Sequence, residues 1–273
     1  MGEETGPARV VKDRLTFPCS CGALLPECGF WKSVSQEMAT LGIDFGPTRW
    51  DLYFQLSPSR RMSFLLGRSL RTSWLDDLRD RCVSLVPPWK GRLQEIAARN
   101  AALIHVILRL TGKRVFAAAS KDPIRARFLN RIPSLDIRVV HLTRDALGYV
   151  SSAIKNKGIG HEQAIRSWLR GARHAIRLRK HLGPEQFLHI RYEDICANVD
   201  REMATMARFV GLEPVAGPFR FRDVEHHIIG NRMRMQSSSE VILDEKWKER
   251  LSAEQIRLIE SATKPIREHF GYA

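Results

Sequence analysis

The spacing of apolar residues along the chain changes character near Gly112. Before it, residues 32–110 carry apolar positions three and four apart, which is typical of helices that pack through one face. The clearest of these stretches runs from Ile96 to Leu110. Before it, the pair Pro87-Pro88 interrupts the helical pattern of residues 32–110. We therefore expect a mostly helical region over 32–110 with a break at the two prolines.

After Gly112, short apolar runs alternate with longer amphipathic stretches. The short runs predict strands over 113–119, 137–143 and 186–191. The amphipathic stretches predict helices over 123–131, 146–155 and 162–182. This alternation is typical of a parallel sheet with helices on its faces, and such sheets bind ligands beyond the carboxyl ends of their strands.

A cation stands at or just after the end of each predicted strand, namely Lys121, Arg144 and Arg191. The whole chain is also basic, since 44 Lys and Arg residues exceed 30 Asp and Glu residues and give a formal net charge of +14. A basic protein attracts polyanions, phosphorylated cofactors or acidic glycans. We therefore expect an anion at the carboxyl edge of the sheet.

Composition excludes several classes of protein. The 44% hydrophobic and 27% charged residues are the balance of a folded globular chain rather than a disordered one. No window reaches the ~20 apolar residues that would span a bilayer, so we expect no transmembrane segment. A polyanion- or nucleic-acid-binding protein is the least favoured class, because interleaved aromatics and a nucleic-acid-binding motif are missing.

Three of the five cysteines, Cys19, Cys21 and Cys28, form a C-x-C-x6-C pattern. Three thiolates bind zinc when a fourth ligand arrives from elsewhere in the chain, but no other Cys or His lies nearby in the sequence. We therefore expect a compact turn of buried cysteines, with a metal or a disulfide as the less favoured alternative. The odd number of cysteines and the lack of a secretory signal over Met1–Pro7 indicate a cytoplasmic protein.

The segment 144–152, RDALGYVSS, places an arginine at a predicted strand end and a serine two turns into the following helix. An arginine fork binds phosphate bidentately, and a hydroxyl adds one hydrogen bond. The segment resembles the 3′-phosphate-binding motif of sulfotransferases that use 3′-phosphoadenosine 5′-phosphosulfate (PAPS). The resemblance implies that Arg144 and Ser152 bind the 3′-phosphate.

Other segments resemble the same family in the same order along the chain. They are CSCG with C-FW over 19–31, Ser120-Lys121, RYED over 191–194 and a Gly-Asn-x-x-Arg loop over 230–234. The resemblance implies a lysine near the sulfuryl group, an adenine-contacting tyrosine and a loop that closes over the phosphate. These residues are Lys121, Tyr192, Asn231, Arg232 and Arg234. The alternatives are a solvated lysine, a tyrosine that caps the sheet and loop arginines without a ligand.

The implied fold is α/β, with a three-layer α/β/α arrangement around a central parallel sheet, like that of P-loop nucleoside triphosphate hydrolases. We expect one domain over 1–273, with a Cys-containing segment over 19–31, a helical acceptor-side region over 32–110 and a nucleotide-binding core over 113–273. No segment before the cysteines resembles the family's opening strand, its 5′-phosphosulfate-binding loop and the following helix, so we expect these parts to be missing from this chain. The segment 67–75 resembles that loop superficially, but it lacks the second glycine and precedes three acids, so we expect a basic surface helix there.

The resemblance implies transfer of a sulfuryl group from PAPS to a hydroxyl or amine acceptor, without a metal. The acceptor is expected to be a small molecule, a glycan or a lipid. Without the opening loop, we expect very low activity from this chain. The alternative is a non-catalytic sulfotransferase-like protein that binds a nucleotide or a partner. No motif identifies the general base, for which Asp122 and His141 are candidates.

Overall fold

The computed structural model describes residues 18–46, 54–67, 69–70, 72–119, 122–215, 227 and 240–272. The chain divides into two compact units. The first unit comprises Met1–Asp136 and Arg220–Ser239, and the second comprises Ile137–Phe219 and Glu240–Ala273. The chain therefore leaves the first unit, builds most of the second and then returns to the first. The single domain over 1–273 stays a prediction.

The described part of the first unit is helical. Its helices are α1 (Gly29–Thr40), α2 (Arg60–Leu66), α3 (Ser73–Leu85), α4 (Pro87–Thr111) and α5 (Pro123–Leu129). The helical region predicted over 32–110 is confirmed. Pro87 and Pro88 end one helix and begin the next, because proline fits the first helical turn, where its missing N–H has no intrahelical partner.

The core of the first unit lies between α1 and α4. Trp31, Val34 and Met38 of α1 are buried in one cluster with Leu103 and Ile107 of α4. These α4 residues belong to the apolar stripe that the sequence shows between Ile96 and Leu110. The amphipathic pattern therefore identified this packing face correctly.

The strand predicted over 113–119 is wrong. Gly112 ends α4 in the left-handed conformation (φ +63°), and the residues after it have irregular backbone and are largely exposed. A strand needs a partner for its backbone hydrogen bonds, and none pairs with this run in the described part of the chain. The run also ends in three alanines, which have low β propensity, so little side-chain packing would offset the missing ladder.

The second unit contains a small parallel sheet. Strands β1 (Val139–Thr143) and β2 (Phe187–Arg191) pair in register from Val139 opposite Phe187 to Thr143 opposite Arg191. Its helices are α6 (Ala146–Lys157), α7 (His161–His181), α8 (Tyr192–Ala197), α9 (Val199–Phe209), α10 (Trp247–Arg250) and α11 (Ala253–His269). A 3₁₀ turn, Pro184–Gln186, precedes β2. The strands predicted over 137–143 and 186–191 and the helices predicted over 146–155 and 162–182 are therefore confirmed.

The core of the second unit lies among α6, α7 and α11. Val150 of α6, Ile165 and Trp168 of α7 and Ile259 of α11 are buried together. The Trp168 indole Nε1 also donates a hydrogen bond to the main-chain oxygen of Arg144 at 3.0 Å. The packed helices thus fix the backbone at the end of β1. Among the helices that the structure describes, none is long and apolar enough to cross a membrane.

Candidate functional site

Arg144 and Tyr192 come together at the carboxyl edge of the sheet. Each follows its strand directly, and the last residues of β1 and β2, Thr143 and Arg191, are register partners. The Arg144 guanidinium carbon lies 5.0 Å from the centre of the Tyr192 ring. A cation at this distance from an aromatic face is attracted by the ring, so each side chain helps to hold the other.

A later segment of the second unit lies across this pair. Arg144 donates a hydrogen bond from Nη2 to the main-chain oxygen of Asp244 at 2.7 Å, and the Asp244 carboxylate lies 3.2 Å from the same nitrogen. The Tyr192 hydroxyl donates to the Ile242 oxygen at 3.0 Å and accepts from the Asp244 amide at 3.1 Å. The 242–244 segment therefore contacts both side chains.

The pKa values at this contact follow its geometry. Partial burial acts to raise the pKa of Asp244, but the Lys246 amide and the Arg144 guanidinium together hold that pKa below its ordinary value. Burial is also the main reason why the pKa of the Tyr192 hydroxyl is raised. At neutral pH the contact is therefore between a guanidinium cation, a carboxylate anion and a neutral phenol.

Gly148, in the first turns of α6, makes room for the arginine. A Cβ atom placed on Gly148 would lie 2.6 Å from Nε of Arg144, closer than non-bonded atoms approach. Any side chain at this position would therefore displace the guanidinium. No motif marks this glycine in the sequence, although its position, four residues after a strand-end arginine, is a usable signal.

Partly buried polar contacts tie together the backbone next to the pair. Asp145 caps α6 by accepting a hydrogen bond from the Leu147 amide at 2.8 Å, and its own amide donates to the Glu193 carboxylate at 3.0 Å. The Tyr272 hydroxyl donates to the other Glu193 oxygen at 2.9 Å. These bonds join the first residues after β1 to the first residues after β2.

The remaining predicted site residues fall into two groups. Ser152 lies on α6, half buried, and its hydroxyl accepts a hydrogen bond from the Asn156 side chain at 3.0 Å. Arg191, the third strand-end cation, donates two hydrogen bonds of 2.7 Å to Asp194 and lowers the pKa of that carboxyl. The others lie outside the described residues: Lys121, Asn231, Arg232 and Arg234.

The two candidate general bases have other surroundings. His141 lies among aromatic rings in the second unit, and burial lowers its pKa to about 4. Asp122, in the first unit, caps α5 by accepting a hydrogen bond from the Ile124 amide at 2.9 Å, and burial raises its pKa. Neither arrangement identifies the base.

The basic surface helix predicted over 67–75 is wrong for the described residues before Ser73. Gly67 follows the end of α2, Ser69 and Leu70 are irregular, and α3 begins only at Ser73. Asp76 accepts hydrogen bonds from the Leu70 amide at 2.9 Å and the Ser69 hydroxyl at 3.1 Å. Asp76, the first of the three acids, therefore holds the residues between α2 and α3 in a non-helical conformation.

The cysteine segment forms the expected compact turn. The Cys19 amide donates to the Ala23 oxygen at 2.8 Å, the Cys28 amide donates to the Leu24 oxygen at 2.9 Å, and Cys19 and Cys28 are buried. The structure also places His227 against these sulfur atoms. The spacing of the cysteines gives no sign of this fourth group, because 199 residues separate it from Cys28.

These features define a mixed α/β protein with a small parallel sheet and an arginine at the carboxyl end of a strand. A sequence model of the Sulfotransferase family matches residues 66–216, which is more than half of the chain. The chain belongs to the sulfotransferase family. A search of curated proteins finds no match. Among solved structures, "Sulfotransferase Domain from the Curacin Biosynthetic Pathway" is similar, with a TM-score of 0.45 and 16% identity over 66% of this chain and 76% of that chain.

Proposed function

We propose that this protein transfers a sulfuryl group from PAPS to a hydroxyl or amine of a small-molecule, glycan or lipid acceptor. Membership of the sulfotransferase family supports the reaction class. The observation that carries the proposal is the position of Arg144, at a strand end, with its guanidinium over the Tyr192 ring. We also propose that the small parallel sheet is part of the three-layer, P-loop-like arrangement.

Arg144 would bind the 3′-phosphate of the donor. Its planar fork suits two phosphate oxygens, and Ser152, two turns along α6, would add a hydroxyl contact. The carboxylate of Asp244 already places one anion 3.2 Å from the guanidinium. A phosphate would take the place of that carboxylate, which makes binding an exchange of one anion for another.

Tyr192 would contact the adenine, and Asn231, Arg232 and Arg234 would close over the same phosphate. Lys121 would lie near the sulfuryl group and stabilise the charge that builds on its oxygens in the transition state. The sulfuryl group of PAPS loses its bond to the bridging phosphate oxygen as the acceptor oxygen or nitrogen bonds to sulfur. 3′-Phosphoadenosine 5′-phosphate leaves, and the acceptor's proton passes to a general base or to solvent. As in phosphoryl transfer, the protein contributes mainly positioning and electrostatic stabilisation.

Calorimetry with two nucleotides tests the phosphate site. We expect 3′-phosphoadenosine 5′-phosphate to bind the wild type and to lose affinity at least ~10-fold on Arg144→Ala, as loss of a charged hydrogen-bond partner predicts. Adenosine 5′-phosphate, which has no 3′-phosphate, should bind both proteins alike. The matched control is Arg166→Ala, which removes the same charge from an exposed pair with Glu162 on α7.

Equal affinity of wild type and Arg144→Ala for 3′-phosphoadenosine 5′-phosphate would show that the site is misassigned. Transfer of labelled sulfate from PAPS to a panel of hydroxyl and amine acceptors then tests the reaction. Binding that depends on Arg144 without any transfer would favour the non-catalytic alternative over the enzyme.

A further inference from the structure

The sulfur atoms of Cys19, Cys21 and Cys28 and one ring nitrogen of His227 all lie within 4.8 Å of one another. From the Cys28 Sγ atom, the Cys21 Sγ atom is 3.6 Å away, the Cys19 Sγ atom 3.8 Å and the His227 Nδ1 atom 3.4 Å. A tetrahedral zinc ion, with bonds of ~2.3 Å to sulfur and ~2.0 Å to nitrogen, places neighbouring sulfurs ~3.8 Å apart and sulfur and nitrogen ~3.5 Å apart. The three distances from Cys28 Sγ therefore match those of a zinc coordination shell, and the Cys19 Sγ atom lies 4.0 Å from His227 Nδ1.

Contacts on both sides hold this Cys/His cluster (Cys19, Cys21, Cys28 and His227) in place. Cys19 and Cys28 are 0% and 1% exposed, and the backbone hydrogen bonds of their turn fix the positions of their Cα atoms. The Trp31 indole donates a hydrogen bond to the His227 oxygen at 3.1 Å. The Phe30 ring stacks on the His227 imidazole, with centres 4.6 Å apart and planes 7° from parallel. These packing contacts hold the turn of Cys19 and Cys28 and the His227 side chain in place.

The chemistry of the group favours a metal over the other uses of cysteine. A disulfide needs two thiols and would leave the third thiol and the imidazole unexplained. Thiols are weak hydrogen-bond donors and acceptors, so three of them offer a partly buried imidazole little on their own. Three thiolates and one imidazole in a tetrahedron are a zinc donor set, and four protein ligands leave no open position for a reaction.

We propose that Cys19, Cys21, Cys28 and His227 bind one structural zinc ion. On binding, the three thiols release their protons to solvent, and the neutral imidazole donates the lone pair of Nδ1. The ion would join the turn at the start of the first unit to the second stretch of chain in that unit. This proposal departs from the expectation of no metal, and it does not depend on the proposed transferase activity.

Metal analysis of the full chain is the first test. The protein, freed of any metal-binding tag and kept reduced, should contain about one zinc ion per chain by plasma mass spectrometry. Cys28→Ser and His227→Ala should each lower the zinc content at least ~10-fold, since each removes one of four ligands. Cys82→Ser and Cys196→Ser are the matched controls, because these cysteines lie outside the cluster, and they should keep the full zinc content.

Two measurements on the wild type do not depend on how the variants fold. Removal of zinc by a chelator should lower the melting temperature, and zinc but not magnesium should restore it. Cobalt(II) added to the metal-free, reduced protein should give the visible bands of tetrahedral thiolate coordination. A purified, reduced chain that holds no zinc and gives no such spectrum would overturn the proposal. A Cys21–Cys28 disulfide in the isolated protein, or iron in place of zinc, would overturn it equally.

Discussion

The Arg144 guanidinium is bound by Asp244, which lies 100 residues later in the chain, through a main-chain hydrogen bond of 2.7 Å and a carboxylate at 3.2 Å. The side chains are 24% and 40% exposed, so solvent ions reach this pair. Any anionic ligand of Arg144 must compete with that carboxylate. If Arg144 binds the 3′-phosphate as proposed, removal of the Asp244 carboxylate should therefore change the affinity.

Asp244→Asn should raise the affinity for 3′-phosphoadenosine 5′-phosphate several-fold. The substitution removes the competing negative charge and leaves the main-chain oxygen that accepts from Arg144. Calorimetry at low and high salt checks this, and the gain should shrink at high salt because the pair is partly exposed. The control is Glu245→Gln, which removes a carboxylate paired with Lys248. An unchanged or lower affinity in Asp244→Asn would contradict the competition.

Gly148→Ala should weaken binding of the same nucleotide, because the new methyl group would displace the Arg144 side chain. We expect a loss of about 10-fold in affinity, which corresponds to ~1.4 kcal/mol. Gly171→Ala on α7 is the matched control, since no atom lies within 4 Å of its added Cβ. That control should leave binding unchanged and raise stability by ~0.5–1 kcal/mol through helix propensity. Equal affinities in the two variants would refute the steric role of Gly148.

His141→Phe should flatten the dependence of stability on pH in the acidic range. Burial, with a smaller contribution from His189, lowers the pKa of His141 from 6.5 to about 4, and its ring lies 5.8 Å from the Phe187 ring and 5.4 Å from the Phe270 ring. Between these pH values the unfolded chain binds the proton and the folded chain does not. The contribution of His141 is therefore complete above pH ~6.5 and is lost as the pH falls towards 4.

The measurement is urea unfolding of the wild type and the variant between pH 7 and pH 4.5. The free energy of unfolding of the wild type should fall by about 2–3 kcal/mol more than that of the variant over this interval, as the lowered pKa of His141 predicts. His105→Gln, on the exposed side of α4, is the control for loss of an imidazole and should behave like the wild type. If the unfolding free energies of wild type and His141→Phe changed equally with pH, a neutral His141 ring in the folded protein would be contradicted.

Asp80→Asn should destabilise the first unit by about 3 kcal/mol, because it removes the buried carboxylate that two buried guanidinium groups share. Arg79 then keeps its pair with Asp76, and Arg127 keeps its pair with Asp77. Asp80 is 1% exposed and lies 2.6 Å from Arg79 and 2.7 Å from Arg127, both of which are 4% exposed. Asp77 contacts the same Arg127 at 2.7 Å but is 54% exposed. Asp77→Asn should therefore cost less than ~1 kcal/mol. Thermal unfolding compares the two variants, and equal losses would show that burial does not control the strength of these pairs.

Much of the second unit was predictable from local patterns. The β-branched run before Thr143 and the run before Arg191 marked both strands, and the rule for parallel sheets placed Arg144 and Tyr192 at one edge. The apolar run over 113–119 does not form a strand, because it includes three alanines and no strand in the described part of the chain pairs with it. A short apolar run therefore predicts a strand only when its side chains can pack and its backbone can pair.

The parts that sequence reasoning missed are contacts across long separations. Nothing near Arg144 in the sequence points to Asp244, and nothing near Cys28 points to His227. No local motif surrounds Asp244 or His227 in the sequence, and these residues reach their partners only when the chain folds. Gly148 is the exception, since its closeness to Arg144 follows from one turn of helix.

The two stretches of the first unit are synthesised at different times, because most of the second unit lies between them in the sequence. His227 leaves the ribosome 199 residues after Cys28, a delay of ~10–40 s at ordinary translation rates. During that interval the three thiols of a nascent chain lack their fourth neighbour, and disulfide formation takes seconds to hours depending on the oxidant. The three thiols can therefore meet an oxidant before the imidazole that lies beside them in the folded protein has been synthesised.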